Sequence, residues 1–281
     1  MKSTFIKSLQ RKLLYLFPFF MLGGYLCRNY QLQNELLHDG GLIQGAFMHR
    51  VLLLLSIIVP GIILLVLHGK KKLTAYKEAL AVPSIHYVIP QLASGFLLIA
   101  GNVLDLISET ELPVYYSSVS VSLTKYLPYL GILAGFMVML FAILSCEKKR
   151  TPSAALYMAV TLYLTVRLIV FFQLWNTDPS VHDYAFTFLS AITSMLACLH
   201  ISGFCLNKGN RRVGIFWCLS AGFFSAVSLA DYSENVPDFL ICTALMLLCC
   251  VLGLQLVLTP VPTQEDPVVE DPHTEESSDD Q

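Results

Sequence analysis

Charge is scarce in this sequence. Only 14% of its 281 residues are Asp, Glu, Lys or Arg, whereas 55% are hydrophobic. A soluble domain carries about 25% charged residues, and the mean hydropathy of +0.63 lies outside that class. Long polar stretches are missing too. None occurs before about Pro260, so no room remains for a folded soluble domain beside the apolar segments.

Three further absences narrow the function. No C-x-x-C pair occurs, and the eight cysteines (Cys27, Cys146, Cys198, Cys205, Cys218, Cys242, Cys249, Cys250) fall within or at the ends of apolar runs. That placement argues against a disulfide framework or a zinc site and for cysteine as a small packing residue. No P-loop, G-x-S-x-G or H-E-x-x-H appears. Intramembrane catalysis would need a nucleophile or a carboxylate set facing water, and no pair of acids falls within the apolar runs to serve. The reading is therefore of a protein that is not an enzyme, with no catalytic residue, cofactor or metal.

What is present is a succession of apolar runs, each near the roughly 20 residues that cross a bilayer. Eight are read, at 13–27, 51–68, 85–107, 127–146, 154–175, 184–205, 213–230 and 238–259. The expectation is an all-α integral membrane protein, a compact bundle of about eight transmembrane helices spanning residues 1–259. The first run is the weakest. It is short, broken by Pro18 and Gly23-Gly24, and preceded by a basic stretch like that of a signal peptide. No A-x-A site follows, so it is read as an uncleaved anchor.

Lys and Arg alternate sides with the runs. One set of segments holds Lys2, Lys7, Arg11, Lys12, Lys70, Lys71, Lys72, Lys77, Lys148, Lys149, Arg150, Lys208, Arg211 and Arg212; the other holds Arg28, Arg50 and Lys125. Cytoplasmic loops carry such an excess. Both termini are therefore expected in the cytoplasm, and the protein in the cell (cytoplasmic) membrane. Threading accounts for the bases, so no nucleic acid is expected. The opposite surface is acidic, with Glu35, Asp39, Glu109, Glu111, Asp178, Asp183, Glu234 and Asp238, a pattern that filling of base-free loops explains.

The tail "PVPTQEDPVVEDPHTEESSDDQ", residues 260–281, carries many acids, four prolines and no base. It cannot build a core and is expected to be a disordered cytoplasmic segment. Two short connections, "WNTDPSVHDY" and "ADYSENVPDF", resemble each other in acids and aromatics, but closely spaced spans produce such hairpins without any repeat.

One charge stands apart. In "YMAVTLYLTVRLIVFFQLW", Arg167 lies about 12 Å along the helix from Trp175. Placing Arg in a spanning helix costs about 3 kcal/mol on the translocon-insertion scale, so a partner is expected. On the third run, Gln91, Gly95, Leu98, Asn102 and Asp105 recur at helical steps and share a face. The expected partner is Asp105 with Asn102 in support, Asp231 being the alternative acid; Tyr163, one turn before Arg167, joins the same cluster. Two roles fit this set of Arg167, Asp105, Asn102, Tyr163 and Gln91: a ligand-binding site or a structural clasp.

Weaker signals complete the chain. His200 is read as bonding a neighbouring helix rather than a metal, and Pro90, between His86 and Gln91, as a kink. Gly131-xxx-Gly135, Ser190-xxx-Ser194 and Cys218-xxx-Gly222 mark close helix contacts. Two function classes follow: a permease-like solute carrier with its polar site between the third and fifth runs, or a membrane sensor, regulator or assembly factor acting through outer loops and the acidic tail. Their partners are the lipid bilayer, a small-molecule or ion ligand, and a cytoplasmic protein for the tail.

Overall fold

The computed structural model describes residues 2–35, 46–67, 75–80, 85–108, 118–146, 151–175, 181–233 and 235–259. All regular elements among the described residues are helical: α1 (Lys2–Asn34), α2 (Phe47–Leu67), α3 (Tyr76–Ala79), α4 (Ile85–Ile107), α5 (Ser118–Ser145), α6 (Ala154–Trp175), α7 (Val181–Cys205), α8 (Arg211–Ser228) and α9 (Val236–Leu258), with a 3-10 turn at Leu229–Tyr232. The tail and the connection residues Asp39, Glu109, Glu111, Asp178 and Glu234 lie outside the described residues.

Seven helices, α2 and α4 to α9, are long and apolar enough to cross a membrane. Eight spans were expected. The eighth long helix is α1, whose 33 residues cover about 50 Å at the α-helical rise but mix apolar residues with Arg28, Asn29, Gln31 and Gln33. Its run extends well beyond 13–27 because Gly23-Gly24 does not break it. A side chain at Gly24 would come within 2.7 Å of Val227 and 3.1 Å of Phe223, so this glycine lets α1 lie close on α8. The third and fifth runs match α4 and α6 to the residue. α5 starts at Ser118 rather than 127, since helical hydrogen bonding continues past the point where the sequence turns polar.

Helices α4 to α9 pack in chain order, and α9 returns to pack on α4, closing a six-helix ring; the α1–α2 pair lies against α8 from outside. α8 is the most enclosed, with 78% of its span buried against 17% for α2. The three small-residue faces sit at helix contacts. A side chain at Gly135 would strike Ile99 and the Gly95 carbonyl of α4, one at Gly222 would strike Cys250 of α9, and one at Gly131 would fall on the Asn102 carboxamide. Ser190 and Ser225 share a hydroxyl hydrogen bond of 2.8 Å between α7 and α8. Each small residue thus admits a specific neighbour.

The turn between α7 and α8 is a Schellman closure. Lys208 N donates to Gly203 O (2.9 Å) and Asn207 N to Phe204 O (3.0 Å), with Asn207 at φ 56°, a conformation asparagine tolerates. Asn210 then caps α8 through Arg212 N. Antiparallel threading places the ends of α1, α4, α6 and α8 together with the starts of α2, α7 and α9, which sets up two polar clusters at opposite ends of the bundle.

Candidate functional site

The first cluster surrounds Arg167. Its Nη2 lies 2.6 Å from Asp238 Oδ1, and its Nη1 donates to Tyr163 OH at 3.0 Å. Tyr163 OH donates in turn to Asn102 Oδ1 (3.2 Å), and Asn102 Nδ2 donates to Leu98 O (2.7 Å). Phe171 offers its ring face 4.7 Å from the guanidinium carbon, a cation–π contact that a desolvated arginine uses well. Asn102, Tyr163 and Arg167 are all buried.

The acid is therefore Asp238, not Asp105 or Asp231. Asp105 lies about 4.5 Å further along α4 than Asn102, and Asn102 itself meets the arginine only through Tyr163. Asp105 is half-buried and stays within electrostatic reach of Asp238 and Arg167, but no ion pair joins it to Arg167 among the described residues. Asp238 wins by position. Asn235 caps α9, its Oδ1 accepting from Asp238 N (3.4 Å) and its Nδ2 donating to Asp238 Oδ2 (2.9 Å). A carboxylate in the first turn of a helix is also favoured by the helix dipole.

Asp231 serves a second ion pair. Arg28 Nε lies 2.7 Å from Asp231 Oδ1, with side-chain exposures of 0% and 7%. Thr187 Oγ1 donates to Asp231 Oδ2 (3.1 Å), and Arg28 Nη1 to Gln31 Oε1 (2.9 Å). The 3-10 turn after α8 is thus held at Asp231 by α1, and the first turn of α9 at Asp238 by α6. Glu35 completes this end, accepting from the backbone N–H groups of Met48 (2.7 Å) and His49 (3.0 Å) at the start of α2.

A cavity of about 20 Å³ adjoins Arg167, enough for one water-sized occupant. Its polar lining comes from Arg167, Thr187, Ser190, Ser228, Tyr232 and Cys242, with no carboxylate among the described residues.

Gln91 belongs elsewhere. It shares the buried face of α4 with Gly95, Leu98 and Asn102, but lies about 16 Å from Asn102 along the axis. There Gln91 Nε2 donates to Gln255 Oε1 (3.2 Å), Gln255 Nε2 to Leu80 O (2.6 Å), and Thr259 Oγ1 to Ala79 O (3.0 Å). Arg211, buried beside them, donates from Nε to Leu256 O (2.7 Å) and from Nη2 to Val257 O (3.2 Å) and Thr259 O (2.6 Å). Tyr76 closes this end, edge-on to Phe141 at 6.0 Å, and its burial holds the phenol well above the usual range.

Sequence reasoning found Arg167, Tyr163 and Asn102 together and missed Asp238 and Arg28 as partners. The Asn235-x-Pro237 start of the last run carried the signal for Asp238, since an N-cap fixes the first-turn acid behind it. No such signal marked Arg28, which lies past the apolar end of its run. Comparison with known protein families, curated proteins and solved structures finds no match for this chain. Length and apolarity of the helices define the class, a polytopic helical protein of a membrane.

Proposed function

We propose that this protein is a permease-like solute carrier whose polar site lies around Arg167, tied to α4 through Tyr163 and Asn102 and bordering a cavity lined by α6, α7, α8 and α9. One observation carries the reading. A cavity adjoins the buried Arg167 side chain, whose hydrogen bonds among the described residues run to Tyr163 and Asp238. Binding energy is thus available to a ligand at a buried position.

In this reading the chain crosses eight times, α1 included, with both termini and the acidic tail on the cytoplasmic side, and it performs no catalytic step. Cys146, exposed at the end of α5, then faces the cytoplasm. A membrane-impermeant maleimide should modify Cys146 in permeabilised cells and spare it in intact ones; the reverse would invert the threading.

Function is tested by uptake into proteoliposomes of a defined mixture of halides, monocarboxylates, amino acids and amines, read by mass spectrometry. Accumulation above protein-free vesicles that Arg167→Gln abolishes supports the carrier. If no solute accumulates although the protein is folded, the sensor or regulator reading takes its place.

A further inference from the structure

We infer that the ligand of the Arg167 cavity is a small monovalent anion of halide size, which binds by taking the place of the Asp238 carboxylate on the guanidinium. The inference names the substrate class of the carrier and rests on that reading for transport, though not for binding itself.

Four observations converge. First, the cavity is lined by the guanidinium of Arg167, by hydroxyl residues Thr187, Ser190, Ser228 and Tyr232 and by apolar groups, with no carboxylate among the described residues. A cation there would meet a fixed positive charge and no anionic ligand, so the chemistry selects a negative or neutral occupant. Second, the volume of about 20 Å³ admits one water-sized species, which excludes polyatomic metabolites from the cavity as it stands.

Third, Arg167 is nearly buried, bonds Tyr163 and Asp238, and borders the cavity. A second acceptor on a guanidinium already bordering a cavity needs no opening of the packing around it. Fourth, the two carboxylates at this end differ in their freedom to leave. Asp231 is 7% exposed and held by both Arg28 and Thr187, whereas Asp238 is 22% exposed. On leaving Arg167, Asp238 can keep its hydrogen bond from Asn235 Nδ2 and hydrate its other oxygen. Electroneutrality of the arginine is preserved, with the anion in the cavity supplying the counter-charge that the carboxylate supplied.

The exchange fixes the sign of a mutational effect. Removing the competing charge should strengthen anion binding strongly, whereas an anion held only by general surface electrostatics would gain just the small attraction that loss of one screened charge gives. The experiment is thermal unfolding of the purified protein in detergent against sodium chloride, with sodium gluconate keeping ionic strength constant. Wild type, Asp238→Asn and Arg167→Gln are compared.

The expected result is a saturable rise of the wild-type midpoint with chloride, an affinity at least about tenfold tighter in Asp238→Asn, as loss of a charge-assisted competitor implies, and no chloride response in Arg167→Gln. If Arg167→Gln does not fold, the Asp238→Asn comparison decides alone. A chloride effect equal or weaker in Asp238→Asn overturns the exchange, as does a response that survives in Arg167→Gln. The absence of any chloride effect in both wild type and Asp238→Asn overturns the anion assignment while leaving the carrier to be judged by solute uptake.

Discussion

The two ends of the bundle bury arginine by opposite means. At the Asp238 end, Arg28 faces the carboxylate of Asp231 in the 3-10 turn after α8, and Arg167 that of Asp238 in the first turn of α9. At the Gln255 end, Arg211 faces the carbonyls of Leu256, Val257 and Thr259, the last of α9. Those carbonyls have no intrahelical donors, and a cation at a helix C-terminus is favoured by the dipole. The difference is one of exchangeability. A carboxylate on a side chain can rotate away and yield its place to another anion, but a main-chain carbonyl in the last turn cannot leave without unwinding the helix. The first end is built of parts that can part company; the second is a fixed anchor.

Substitutions at the two ends should separate these designs, the largest effect coming first. Arg28→Gln leaves Asp231 buried beside a neutral partner and should cost about 3–5 kcal/mol, measured by equilibrium unfolding in mixed micelles. Arg28→Met combined with Asp231→Leu should recover most of that loss, because an apolar pair replaces an ionic one without stranding a charge. If the double variant is as unstable as the single, the ion pair is not what holds α1 to the α8–α9 connection.

Arg211→Met should cost about 2 kcal/mol, the scale of charged hydrogen bonds to backbone acceptors, with Arg211→Lys intermediate. The same unfolding titration reads it. An Arg211 effect larger than that of Arg28 would reverse the ranking of the two ends.

Gly131→Ala sharpens the comparison from another side. The added methyl falls on the Asn102 carboxamide, and overpacking of that kind costs about 1–3 kcal/mol. Because Asn102 anchors Tyr163, and Tyr163 bonds Arg167, the chloride response of Arg167 should weaken as well. Loss of stability with an unchanged chloride response would show that Asn102 packs without positioning the arginine.

The smallest effect is expected for Gln91→Leu, below about 1 kcal/mol by midpoint shift. Gln91 Oε1 is buried without a partner, so its removal relieves one unsatisfied acceptor while the loss of Nε2 frees Gln255 Oε1. Gln255→Leu should cost more, since it strands the Leu80 carbonyl. Equal effects would mean that the two amides contribute only through packing.

How far these features were legible depends on the kind of signal. Runs bounded by clear polar ends, 85–107 and 154–175, coincide with α4 and α6. The face of α4 followed from spacing alone, because helical periodicity fixes which residues share a side. Arg167 announced itself by its cost in lipid. Its partner did not, because spacing within one helix says nothing about which neighbouring helix comes closest, and the ring closure of α4 on α9 is what brings Asp238 near. Gly23-Gly24 misled for a related reason. Read along the chain, paired glycines look like a break; only the neighbour on α8 reveals Gly24 as a contact surface.

The Arg28–Asp231 pair joins residues 203 positions apart, and this separation bears on biogenesis. At about 5–20 residues per second, a ribosome needs on the order of 10–40 s to deliver Asp231 after Arg28 has emerged. Throughout that interval the nascent α1–α2 hairpin is without Asp231, and α8, the helix it docks on, does not yet exist. Every shorter chain, whether stalled or prematurely terminated before α8, therefore lacks the Arg28–Asp231 contact, a uniform mark by which membrane quality control can tell an unfinished copy from a complete one.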